Sequence, residues 1–423
     1  MHSSQTTADN FDLSFQDKYI LSFERNDFNF NSHLIIETSS KIDLEKFNVT
    51  LKNYFEYEEY LRIIPDMQTG KFRLIALDNQ KIKSAIVQLH ENEITAFRNK
   101  KFNFDNEYGI RIGIVNEGRK IIFSFHHSLF DGHAQFNFLQ DFLTIYNNEE
   151  TYVKRKKLEI YQFRKYFKSI SISWIIKYFF ELISYQVKPR KRATRKKIAR
   201  LFDHEPTDRV VRYKVLEIPR KKIDTGARKN ALSSSAYLSM KASMAINEVL
   251  KMRGDLESPI VLYIPKSMRF EFKVMRHFQN LLGFIWMKID RNEFYKEDFA
   301  KNFRDTYKFR SSESEVRKTL LVAAILVRLK KFESLKKFIK HKEEDIHDCT
   351  LLISSGRTPQ EIVFPKEWKV EKLYPVGAMT RSPGIGILSS SFGENDYIVV
   401  EYLKSAFNSE TIELFCDRLL NHL

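Results

Sequence analysis

The sequence predicts an α/β protein. Short apolar runs of strand length alternate with amphipathic helical segments in both halves of the chain, and one strongly basic stretch separates the halves. At 423 residues the chain is long enough for two or three domains, each with an ample core. Hydrophobic residues make up 43% and aromatic residues 14% of it, a composition that leaves little scope for long disorder. Neither an internal repeat nor a low-complexity array is evident.

Residues 1–150 form the first expected unit. Within it Ser32 to Thr38 reads as a strand, Asp43 to Glu56 as a helix, and Lys71 to Leu77 and Arg111 to Val115 as further strands. The apolar strand at 121–125 runs into two adjacent histidines, and an amphipathic helix from Gln135 to Tyr146 ends the unit. Residues 151–205 form a basic connection. Residues 206–423 form the second unit, opened by the alternating strand Val210 to Ile218. Serines 233–235 then cap a helix that runs to Leu250. Ile260 to Ile264 and the apolar run Leu281 to Ile289 supply a second sheet, and a helix from Ser409 to Leu423 closes the chain.

The most informative stretch is IIFSFHHSLFDG, residues 121–132. His127 falls where a strand stops and a loop begins, which lets its imidazole point into a cleft. With an ordinary pKa near neutrality, such a ring takes a proton from a hydroxyl or amine as that group attacks a carbonyl. Asp131 is placed to brace the loop by pairing with a cation, and Gly132 leaves room for a substrate to approach the backbone. A metal site at His126, His127 and His133 is not expected, because no cysteine or carboxylate lies at a ligand-like spacing and Asp131 alone does not complete one. The chain also lacks the GxSxG, Walker and GxGxxG patterns.

His126, His127, Asp131 and Gly132 match the motif HHxxxDG without a gap. The sequence thereby resembles the superfamily of CoA-dependent and carrier-protein-dependent acyltransferases. Chloramphenicol acetyltransferase, nonribosomal peptide condensation domains, polyketide-associated acyltransferases and wax ester synthases are among its members. The resemblance runs along nearly the whole chain. Leu13 to Gln16, the strand at Ser32 to Thr38, the helix at Asp43 to Glu56, and Leu61-Arg62 look like the opening of condensation-type chains. Ile264-Pro265 through Arg269 to Asn280-Leu281-Leu282-Gly283 is similar to the family's strand, arginine and Gly/Asn loop. Leu352 to Gly356 resembles a strand ending in an SNxG-like turn, with Ser355 where Asn is commoner. Gly386 to Phe392 and Tyr397 to Tyr402 resemble the closing hairpin. The absence of DFGWG separates the chain from the plant-type acyltransferases.

The resemblance implies two chloramphenicol-acetyltransferase-like lobes in one chain, a pseudo-dimer with its active site in the tunnel between them. It makes His127 the catalytic base within a catalytic group of His126, His127, Asp131 and Gly132. It also implies that Asp131 pairs with an arginine of the second half, Arg269 or alternatively Arg276. Ser354, Ser355, Asn280 and Gly283 are candidates for oxyanion or substrate binding. The donor it implies is a thioester, acyl-CoA or a phosphopantetheine-linked acyl carrier protein, entering as substrate, with no permanently bound cofactor.

Charge supplies a second indication. Residues 154–200 hold 16 Lys or Arg against Glu159 and Glu181, a local balance of +14 in a chain of net charge +16. Ile170 to Val187 is aromatic and branched but broken by Lys177 and Glu181, too short and interrupted for a membrane span. Its composition is that of an interfacial helix, with Trp174, Ile175 and Phe179 facing the membrane and Lys188, Arg190, Lys191 and Arg192 beside anionic lipid. Thr319 to Val327 reads as a buried core helix with a charged continuation. A nucleic-acid partner is not expected, since the basic run lacks a recognised binding module.

The expected activity is thioester-dependent acyl transfer to a hydroxyl or amine acceptor, a lipid or lipid precursor at a membrane face. One alternative is a stand-alone condensation enzyme that forms an amide from carrier-protein substrates, its basic surface receiving an acidic carrier. Another is a non-catalytic condensation-like binding module. With two cysteines, Cys349 and Cys416, and an N-terminus lacking a signal-peptide pattern, a cytoplasmic location is expected, peripheral on a membrane. A monomer suffices, because two lobes build the site within one chain.

Overall fold

The computed structural model describes residues 11–24, 29–66, 68–148, 150, 152, 173, 198–329, 349–356, 358–359, 362–380 and 383–423. The first lobe is built on a five-stranded sheet. Its strands are β2 (Asn31–Thr38), β5 (Ile86–Leu89), β6 (Ile110–Val115), β7 (Lys120–His126) and β12 (Val370–Val376), in the order β12-β2-β7-β6-β5. A small sheet of β1 (Phe11–Asp12), β3 (Ile63–Asp66) and β4 (Lys71–Leu74) lies beside it. The second lobe carries six strands in the order β10-β9-β11-β13-β14-β8. These are β8 (Val211–Pro219), β9 (Ile260–Ser267), β10 (Leu282–Ile289), β11 (Leu351–Ser355), β13 (Ile385–Phe392) and β14 (Asn395–Leu403).

Local chemistry sets the helices. In α1 (Phe15–Glu24), Ser14 and Asp17 exchange cap bonds: the Ser14 N–H donates to Asp17 Oδ2 at 2.7 Å and the Asp17 N–H to Ser14 Oγ at 3.1 Å. Asp43 caps α2 (Leu44–Tyr57) by accepting from the N–H groups of Glu45 and Lys46, both at 3.0 Å. Two short helices, α3 (Asn79–Ser84) and α4 (Ile94–Asn99), precede α5 (Gly132–Asn147). In the second lobe α6 (Arg220–Lys229) leads into α7 (Ser234–Met252), where Ser233 accepts from the Ala236 N–H at 3.2 Å. They are followed by α8 (Arg269–Phe272), α9 (Phe299–Arg310), α10 (Glu313–Leu329) and α11 (Ser409–His422). The stretch Thr319 to Val327 lies in α10, whose Val316, Leu320 and Leu321 are buried. Among the described residues, no helix is long and apolar enough to cross a membrane.

The division of the sequence near residue 206 does not follow the sheets throughout. Strand β12 belongs to the second half of the chain, yet it pairs antiparallel with β2, Leu373 opposite Ile36 and Pro375 opposite Leu34. Just before it, Trp368 is fully buried in the first lobe, its ring 5.1 Å from that of Tyr146. The burial of so large a side chain fixes this crossover. A shared apolar layer joins the lobes: Ile35, Val115 and Ile122 from the first sheet meet Tyr397 and Val399 of β14 across Tyr374 and Val376 of β12.

Candidate active site

Strand β7 ends at His126, opposite Asn31. The chain then turns sharply, with the N–H groups of Leu129 and Phe130 donating back to the His126 carbonyl at 3.0 and 3.1 Å. Tyr60 braces the turn by donating to the Leu129 carbonyl at 2.8 Å. His127 is the first residue off the strand, and its N–H donates to the Phe30 carbonyl at 2.8 Å. Its side chain lines a cavity of about 220 Å³ bounded by residues of both lobes, including Gly132, Gln135, Pro265, Ser354 and Gly377.

Two groups from the second lobe hold this loop. Asn280 Nδ2 donates to the His127 carbonyl at 2.9 Å and lies 3.4 Å from Nδ1 of the same ring. Asp131 is completely buried, and one carboxylate oxygen caps α5 by accepting from the Ala134 N–H at 2.9 Å. The other accepts from Arg269 Nη1 at 2.5 Å and from the Leu281 N–H at 2.9 Å. Arg269, itself buried, also donates to the carbonyls of Gln279 at 2.7 Å and His277 at 3.1 Å. Burial alone would raise the Asp131 pKa, but the Arg269 cation and these hydrogen bonds outweigh it and hold the carboxyl below its ordinary value. Asp131 therefore stays ionised as a brace.

Burial lowers the His127 pKa, against opposing hydrogen bonds to the backbone and the pull of the Asp131 charge. The ring is thus neutral near pH 7, the state a proton acceptor requires. Because Nδ1 faces Asn280, Nε2 is the nitrogen left for a ligand in the cavity.

His126, expected within the catalytic group, is fully buried and engaged elsewhere. Its Nε2 is 2.8 Å from Glu24 Oε2, its Nδ1 is 2.7 Å from Ser128 Oγ, and the Phe104 ring packs against it at 4.8 Å. It does not line the cavity, since alternation along a strand sends neighbouring side chains to opposite faces. Gly132 does line it, with no atom within 4 Å of where a Cβ would stand. Gly283, a candidate for substrate binding, faces inward instead: a Cβ there would collide with Val316 and Met268. Arg276, the alternative partner for Asp131, pairs with Asp141 and Gln140 on α5.

Ser354 and Ser355 both line the cavity. Ser355 accepts from Ser389 Oγ at 2.7 Å, which keeps its own O–H for donation. Trp174, Ile175, Phe179, Lys188, Arg190, Lys191 and Arg192 lie outside the described residues. Other residues of the wall have no signature in the motif. Gln135 Nε2 donates to Ser32 Oγ at 2.6 Å, and Val376 arrives at the end of the crossover strand with Gly377 directly after it.

Comparison with known proteins bears on the fold. Residues 15–173 match the family model of the condensation domain. No curated protein matches the sequence. Among solved structures, the condensation domain from Monacolin K polyketide synthase MokA superposes with a TM-score of 0.69 at 9% identity, covering 98% of this chain and 96% of that one. The TRI3 trichothecene 15-O-acetyltransferase from Fusarium sporotrichioides gives 0.70 at 11% identity, covering 97% and 93%. The epimerization domain from the third module of tyrocidine synthetase B gives 0.65 at 13% identity, covering 100% and 98%. The chain thus has the two-lobed α/β fold of condensation domains and of this acetyltransferase.

Proposed function

We propose, from the premise that the chain has the condensation-domain fold, that it moves an acyl group from a thioester to a hydroxyl or amine. The observation that carries this reading is a neutral His127 on the wall of a cavity between two lobes, fixed from the far lobe by Asn280 and by the Asp131–Arg269 pair.

His127 Nε2 removes the proton of the acceptor as its oxygen or nitrogen attacks the thioester carbonyl. The tetrahedral intermediate collapses, expels the thiolate, and the proton passes from His127 to the leaving sulfur. Both substrates are held together, so proximity replaces a covalent acyl-enzyme. Ser355, with its O–H uncommitted, is the candidate donor to the developing oxyanion. Asp131 takes no proton and acts only through the loop.

The donor is acyl-CoA or an acyl carrier protein, and the acceptor is a lipid or lipid precursor reached at a membrane face. Support for the membrane half is the charge of residues 154–200, whose cations favour an anionic surface. The matching family model favours a second reading, amide formation between carrier-bound substrates. Thiol release from acyl-CoA donors of rising chain length, with pooled lipid extract as acceptor, tests the primary reading in wild type and His127→Ala. Acceptor-dependent release that vanishes in the variant supports it. Release from carrier-protein donors alone favours the second, and release from neither leaves a binding protein. Flotation with anionic vesicles tests the membrane half separately.

A further inference from the structure

One polar pair on the cavity wall has no part in the reaction above. Ser32 of β2 and Gln135 of α5 both line the cavity, both are buried, and Gln135 Nε2 donates to Ser32 Oγ at 2.6 Å. The faces that carry them are otherwise apolar. Ser32 continues the alternating row of Leu34 and Ile36, which packs with Phe138, Leu139 and Phe142 of α5 in one core. An aliphatic pair of the same shape would fill such a position at little cost, so two polar side chains there point to a polar group in the cavity.

Their mutual bond satisfies only half of each side chain. With the amide so oriented, Ser32 keeps its O–H for donation and Gln135 keeps Oε1 for acceptance. Turning the amide over exchanges the two roles and leaves the same balance, one donor and one acceptor side by side. Both elements also tie the pair to His127. The Phe30 carbonyl, two residues before Ser32, accepts the His127 N–H at 2.8 Å, and the Gln135 N–H donates to the Asp131 carbonyl at 3.0 Å. A group held by the pair is therefore set beside the imidazole, on the wall across from Ser354 and Ser355 of β11.

We propose that Ser32 and Gln135 hold a second hydroxyl of the acceptor while the neighbouring hydroxyl meets His127. A hydroxyl donates and accepts at a single atom, as the pair requires, whereas an ether oxygen only accepts and an ammonium only donates. The cavity, at about 220 Å³, is smaller than the sites of drug-sized ligands, which suits hydroxyls on adjacent carbons. The acceptor is then a 1,2-diol, either a free polyol or the glycerol headgroup of a lipid. This rests on the acyl-transfer reading and narrows its acceptor.

The probes are 1,2-butanediol and 1-butanol, with binding followed by ligand-observed NMR. Wild type is expected to prefer the diol, and that preference is expected to fall about tenfold when Ser32→Ala and Gln135→Leu are combined. The double variant removes both partners together and strands neither, and its melting temperature reports its folding. Where it does not fold, the wild-type comparison decides alone. A wild type that prefers 1-butanol, or a preference unchanged in the folded double variant, would overturn the proposal. Thiol release then separates the two sources: faster release with glycerol assigns a free polyol, and faster release with monooleoylglycerol in phosphatidylcholine vesicles assigns a lipid headgroup. Release with 1-butanol but with neither diol would overturn the proposal and leave the His127 chemistry standing. The binding comparison needs no turnover, so it and thiol release through His127 fail independently.

Discussion

Asp131 of the first lobe and Arg269 of the second form a fully buried ion pair, Oδ2 to Nη1 at 2.5 Å, one residue before the helix that follows the His127 loop. Each partner also satisfies backbone groups, Leu281 and Ala134 for the acid, His277 and Gln279 for the base.

Removing one partner strands the other charge in the interior. Asp131→Ala and Arg269→Ala are each expected to lower stability by about 3–5 kcal/mol in denaturant titrations, with turnover falling as His127 loses its support. Because the folded-state pKa of Asp131 is depressed, its contribution is present above the ordinary value of 3.8 and is lost as pH falls through the lower folded value. An Asp131→Ala protein that melts and turns over like wild type would remove the brace from the mechanism.

Replacing His127 with Ala is expected to slow acyl transfer by roughly two to four orders of magnitude while leaving the melting temperature nearly unchanged. Since burial lowers the His127 pKa, the base stays unprotonated in more acidic solution. The acid limb of kcat/KM is accordingly expected below the ordinary histidine value of 6.5. A limb above that value would argue against His127 as the titrating base.

Asp17 offers a stability test that does not pass through the His127 proton transfer. Burial raises its carboxyl to about 7 from an ordinary 3.8, in spite of the hydrogen bonds to Ser14. A raised folded-state pKa means that folding binds a proton, so stability is greatest below 3.8 and declines as pH rises to about 7. Asp17→Asn keeps an acceptor for the Ser14 N–H and is expected to flatten that decline. At neutral pH and above it is expected to gain on the order of 2–4 kcal/mol over wild type in urea titrations. Parallel pH profiles for the two proteins would refute the assignment.

Trp368→Ala removes a fully buried ring that packs against Tyr146 at 5.1 Å and Phe47 at 6.3 Å. The expected loss is about 3–5 kcal/mol. Hydrogen exchange is expected to show protection falling first in β12 and β2, the ladder that this side chain anchors. Uniform loss across both lobes would indicate a different role.

Much of the site is legible in the sequence because its chemistry is local. HHxxxDG fixes His127 at a strand end, Asp131 as a brace and Gly132 as open space, and the run Ile264 to Gly283 carries Arg269 and Asn280, whereas the capping of α5 by Asp131 emerges only in the structure. The motif treats its two histidines alike, whereas a strand sends adjacent side chains to opposite faces, and His126 goes to Glu24. Gly283 shares a loop motif with Asn280 but falls inside a strand, where its role is close packing against Val316. The β12 crossover is hidden because pairing partners some 330 residues apart leave no periodic trace in the sequence. Gly377 reaches the cavity wall only through that topology.

The crossover also limits how the two lobes can move against each other. With β12 hydrogen-bonded to β2, the halves of the molecule cannot swing apart like jaws without breaking a sheet. Access to the cavity therefore does not come from parting β12 and β2. A fragment ending at 150 would carry β2 with one rim bare, an invitation to self-association. The half of this sequence that carries HHxxxDG is on these grounds inseparable from a strand supplied more than 200 residues downstream.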